Sequence, residues 1–69
     1  MWIKTIEGMY NSDYLTAIWV EDTDGGCRTC AKDHAGDLVV LSWQNDVRGI
    51  IKHGLICGED YVEVINYGR

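Results

Sequence analysis

The residues best suited to chemistry in this chain are three cysteines and two histidines. Cys27-Arg28-Thr29-Cys30 forms a C-x-x-C, His34 lies just beyond it, and His53 and Cys57 stand four positions apart. Tetrahedral zinc takes four cysteine or histidine ligands, and a C-x-x-C joined to a distant His/Cys pair can supply them. Cys27, Cys30, His53 and Cys57 therefore define one reading, a small zinc-stabilised module in which the metal reinforces a small core. The local pattern opposes it. A zinc knuckle bends around the ion, whereas Cys27 to Lys32 has the composition of an extended strand, which points Cys27 and Cys30 to opposite faces. On that ground the thiols are expected to be free and no metal ligand is assigned.

Other chemistry has less support. A redox C-x-x-C needs a thiolate stabilised at a helix N-terminus, and this one follows Gly25-Gly26 and precedes strand. Ser12 and Ser42 are the only serines, and neither lies in a G-x-S-x-G elbow. Cys57 and His53 can meet on one helical face, but no third group is in sequence position to orient the histidine. Glu21-Asp22-Thr23-Asp24 hints at calcium. Counting a calcium loop from Asp22, however, places Cys27 where a glycine is needed and Asp33 where a glutamate is needed. The acids read as a solvated hairpin tip. The chain is not expected to be an enzyme, and no catalytic or cofactor residue is assigned.

Size and charge set the frame for these residues. The chain has 69 residues, 46% hydrophobic and 25% charged, enough apolar material for one folded domain spanning 1–69. A chain this short buries about 60% of its unfolded surface, so its core needs a supplement such as a metal or a partner subunit. Eleven acids against six bases give a net charge of −5. Such a field repels phosphate backbones and anionic membranes, so nucleic acid and membrane are not expected partners. No stretch reaches the roughly 20 apolar residues of a membrane span, the start Met1-Trp2-Ile3-Lys4 lacks a signal-peptide pattern, and the cysteine count is odd. These features point to a cytoplasmic protein.

There is no proline, so glycine and Asx residues mark the connections. Trp2 to Ile6 predicts a short strand, and Asn11-Ser12-Asp13 a turn or single helical turn. Tyr14 to Glu21 predicts a second strand, Asp24-Gly25-Gly26 a hairpin turn, and Cys27 to Lys32 a third strand. Asp33 to Asp37 is a second tight connection, and Leu38 to Trp43 predicts the fourth strand. From 46 to 57 a helix competes with a hairpin turning at His53-Gly54. Val47, Ile50, Ile51 and Leu55 at helical spacing, with Asn45 or Asp46 as cap, favour the helix even though Gly49 and Gly54 each cost about 1 kcal/mol. Gly58 would end it, and Tyr61 to Tyr67 would form a last strand.

Strand faces carry an inference about assembly. Leu15, Ala17 and Trp19 share one face of the second strand, with Ile18 and Val20 on the other. In the fourth, Val39, Leu41 and Trp43 oppose Leu38 and Val40. Both faces are apolar, and such strands are normally covered on both sides. One helix cannot do this, so a homodimer packing a sheet face on its copy is expected. The competing arrangement is a coiled sheet closed into a small barrel. The aromatic set of Trp and Tyr without Phe suits either a core or a protein interface.

Trp2-Ile3-Lys4-Thr5, followed by Gly8, Tyr10, Asp13 and Ile18 to Glu21, resembles a loose family of short uncharacterised bacterial proteins. These open with a W-I-K-T-like strand, pass through a G-x-Y turn and a β-meander, and finish with a helix. The likeness extends to about Asn45 and implies a small α+β interaction module without naming a substrate or site. The chain departs from that pattern at Tyr61 to Tyr67, where it adds an apparent strand. The expected architecture is thus α+β, a mainly antiparallel meander sheet of four to five strands with one short helix near the C-terminus. The expected function is a protein–protein interaction module, self-associating through an apolar sheet face.

Overall fold

The computed structural model describes residues 1–64. It is an α+β fold of six strands and one helix: β1 (Trp2–Lys4), β2 (Met9–Asn11), β3 (Leu15–Thr23), β4 (Gly26–Asp33), β5 (Leu38–Ser42), α1 (Arg48–Ile56) and β6 (Tyr61–Glu63). The strands form two separate three-stranded sheets, ordered β2-β1-β6 and β3-β4-β5. This corrects the expected single meander of four to five strands. Met9–Asn11 turns back on β1 as an antiparallel partner, and β6 joins the other side of β1 in parallel. The helix, expected near the C-terminus, is followed by β6, which begins at Tyr61 as the sequence predicts. The last strand was expected to continue to Tyr67, but its later residues lie outside those described.

Local chemistry explains each connection. The β1–β2 turn closes on Thr5, whose backbone N–H donates to the Gly8 carbonyl at 2.8 Å and whose hydroxyl accepts from the Glu7 and Gly8 amides at 3.2 Å. Asn11 Oδ1 accepts from the Asp13 amide at 3.0 Å, fixing a single 3-10 turn over Ser12–Tyr14. Thr23 pairs with Gly26, leaving Asp24-Gly25 as a two-residue hairpin loop. Between β4 and β5, Asp33 Oδ1 accepts from the Ala35 and Asp37 amides, both at 2.9 Å. Gly36 there adopts φ +85°, which a side chain would strain.

The helix prevails over the hairpin in 46–57. Its cap is Val47 rather than Asn45 or Asp46, and Val47 has no capping side chain. Asp46 nevertheless accepts from the Arg48 amide at 3.1 Å. The helix ends in a Schellman arrangement, with Gly58 at φ +70° and the Glu59 amide donating to the Gly54 carbonyl at 2.9 Å. Gly54 is required where it stands: a Cβ there would lie 2.7 Å from Val62 Cγ1 and 2.8 Å from Met1 Sδ. The glycine that argued against a helix is what lets the helix lie on β6.

The core gathers Ile3, Ala31, Val39, Leu41, Val47, Ile51 and Val64, drawing on both sheets and the helix. Leu55, expected on the buried helix face, is instead half exposed, and Val47, Ile51 and Gly54 form the buried stripe. Buried Thr29 ties the loop before α1 to β4. Its hydroxyl donates to the Asn45 carbonyl at 2.7 Å and accepts from the Val47 amide at 2.9 Å.

Candidate functional site

The β3-β4-β5 sheet has one face in the core and one outside. Its register places Ala17, Lys32 and Leu38 in one outer row and Trp19, Cys30 and Val40 in the next, with Glu21 and Arg28 paired in the third. Two bulges rearrange the faces expected from strict alternation. The irregularity between Leu15 and Ala17 lets Leu15 pack on the core while Ala17 faces out. The second, between Thr29 and Cys30 in β4, admits Leu41 as an extra residue in β5. It puts Ser42 opposite buried Thr29 and turns Trp43 outward instead of leaving it beside Val39 and Leu41.

The polar side chains around Trp19 and Trp43 on this outer face are paired, while exposed Lys32 has no ion pair among the described residues. The Trp19 indole N–H donates to Glu21 Oε2 at 3.1 Å, and Arg28 Nε donates to Glu21 Oε1 at 2.9 Å. The Trp19 indole bond, reinforced by Arg28, holds the Glu21 carboxyl below the usual glutamate range. The Arg28 guanidinium lies 5.9 Å from the centre of the Trp43 ring, a cation–π distance. Trp43 in turn donates its indole N–H to Glu7 Oε1 at 2.9 Å. Trp43 and Leu38 remain 46% and 56% exposed, so they are the large apolar side chains this face leaves most open to a partner.

Cys30 lies beneath this lattice with no exposure. Burial, and secondly the Glu21 charge, pushes its thiol pKa up, the opposite of what a nucleophile or metal-binding thiolate requires. Cys27 is one face removed and partly buried. His53 Nε2 and Cys57 Sγ do come together, 3.5 Å apart on the exposed end of α1. The zinc set Cys27, Cys30, His53 and Cys57 is not assembled, however. Among the described residues no three His, Cys, Asp or Glu side chains converge to hold a metal ion. His34 packs edge-on against Tyr14, with ring centres 5.6 Å apart.

Sequence reasoning passed over the Glu21–Arg28 pair and its two tryptophans. The signal for the pair was present: a two-residue loop at Asp24-Gly25 places Glu21 opposite Arg28 by counting outward. The Trp43–Glu7 contact joins residues 36 apart and has no local signal.

No protein-family model matches this chain, and no curated protein or solved structure matches it either. Among the described residues, no helix is long and apolar enough to cross a membrane.

Proposed function

We propose that this chain is a protein-interaction module that self-associates through the outer face of the β3-β4-β5 sheet. One observation carries the reading. That face presents Ala17, Leu38, Trp19, Val40 and Trp43 around sealed Cys30, its close ion pair, Glu21–Arg28, is internally satisfied, and Lys32 is left at its exposed end to stay in water. Tryptophan and arginine are the residue types that anchor interfaces, and pre-paired charges lower the desolvation cost of covering them. A two-fold axis would place the same patch on both copies, and no second surface is needed.

The magnitude follows from the size of the face. Three strands about 4.8 Å apart and five residues of about 3.3 Å give a patch of roughly 15 by 17 Å. At about 255 Å² per copy, roughly 510 Å² in all, that lies below the roughly 1,000 Å² of a stable interface and corresponds to a weak, transient dimer, with Kd in the high micromolar range or above. Sedimentation equilibrium up to about 1 mM protein tests it. The expected result is a mass rising with concentration from 7.8 kDa toward twice that value, and a Leu38→Glu variant that stays monomeric. A wild-type mass that stays at 7.8 kDa throughout refutes the reading.

A further inference from the structure

Sheet order leaves β3 at an edge. It is the longest strand, at nine residues, and pairs only with β4. Apart from the Leu15 amide, which donates to the Ser12 carbonyl at the end of the 3-10 turn, none of the described backbone hydrogen bonds outside the strand ladders involves Leu15 to Thr23. About every second residue of β3 therefore presents an N–H and a C=O away from the sheet. Natural edges are usually defended by lysine, proline or very short strands. Leu15 to Val20 contains no charge and no proline, and only the bulge at its start interrupts it.

An apolar groove of about 230 Å³ adjoins this edge. Ile18 of β3 forms one wall, and Arg48, Ile51, Lys52 and Leu55 of α1 form the other. The helical residues stand at i, i+3, i+4 and i+7, so one stripe of α1 faces the groove. An edge strand beside a helix, with an apolar groove between them, is the arrangement by which β-augmentation reads a peptide. The ladder supplies affinity, and alternate side chains enter the groove. The charge at its rim is positive, in a chain whose net charge is −5. Arg48 is paired with Asp46 at 2.7 Å, but Lys52 has no ion pair among the described residues.

We propose that β3 and α1 form a docking site for an extended acidic peptide of a partner protein. The peptide adds as a strand along Leu15–Val20, seats one apolar side chain between Ile18, Ile51 and Leu55, and sets a neighbouring carboxylate against Lys52. This site is separate from the outer face of the sheet, so either can fail without the other.

The test titrates isotope-labelled full-length protein with a terminally blocked peptide of alternating valine and glutamate. The controls are the same peptide with lysine in place of glutamate, and one N-methylated at alternate amides. The expected result is shifts confined to the amides of 15–23 and 48–55. The lysine peptide and the N-methylated peptide should bind several-fold more weakly, and exposed Lys52→Glu should weaken the glutamate peptide about fivefold. Equal binding of the N-methylated peptide overturns strand addition. Shifts centred on Cys30, Leu38, Val40 and Trp43 of the outer face, or none, overturn the site. Concentration-dependent shifts without peptide at 15–23 and 48–55 that leave Cys30, Leu38, Val40 and Trp43 unmoved would identify a second copy as the occupant of the edge and overturn the partner-peptide assignment.

Discussion

The placement of α1 on β6 is tested by two glycine-to-alanine substitutions in the same helix. Alanine is favoured over glycine in a helix interior by about 1 kcal/mol. Gly49 has nothing within 4 Å of a built Cβ, so Gly49→Ala should gain most of that amount, about 0.5–1 kcal/mol. At Gly54 the same gain meets Val62 Cγ1 at 2.7 Å and Met1 Sδ at 2.8 Å. The methionine can swing aside. Val62 is β-branched and held in β6 between its backbone bonds, so its relief requires the helix to lift. Overpacking of this kind costs about 1–3 kcal/mol, which leaves Gly54→Ala destabilising by roughly 1 kcal/mol after the helical gain. In a domain of this size 1 kcal/mol moves Tm by about 4–8 °C. Urea and thermal unfolding followed by circular dichroism should therefore move the two variants in opposite directions. If Gly54→Ala is stabilised as much as Gly49→Ala, the close approach of α1 to β6 is wrong.

Three further outcomes are expected. Thr29→Val keeps the shape of a fully buried residue but orphans the Val47 amide and the Asn45 carbonyl, so it should cost about 2 kcal/mol, read by urea unfolding. The pH dependence follows from the lowered Glu21 pKa. Its stabilisation is complete above the ordinary glutamate range and is lost as pH falls through the lowered folded value. Glu21→Gln should thus flatten the acid limb of the stability profile, and an unchanged limb would remove Glu21 from that account. Thiol labelling of native protein, read by mass spectrometry, should modify exposed Cys57 first, partly buried Cys27 next, and Cys30 only on unfolding. Labelling of Cys30 at the rate of Cys57 would show that the outer face is not sealed.

Much of this fold was local, and the local part was legible. The hairpin turn at Asp24-Gly25-Gly26 (of which Gly26 proves to pair with Thr23), the Asp33–Asp37 connection and the two middle strand pairs follow from turn chemistry and β-forming runs. The apolar spacing of Val47, Ile50, Ile51 and Leu55 outweighed two glycines and favoured the helix, although Leu55 itself is half exposed. Face assignments failed where a bulge changed the count. One extra residue in β5 moved Trp43 to the outside, and one irregularity in β3 moved Leu15 inward, since a single-residue slip reverses every side chain beyond it. The division into two sheets was not legible at all. It depends on Trp2 pairing in parallel with Tyr61, residues joined through nearly the whole chain, and no short-range pattern encodes such a closure. The chemistry-bearing residues divide the same way. The spacing of His53 and Cys57 on one helix was enough to bring them together, whereas their separation from Cys27 and Cys30 was decided only by how the helix and the second sheet pack. Sequence periodicity sets which side chains share a face. Which faces meet is set by burying them all at once, and that is a property of the folded chain as a whole.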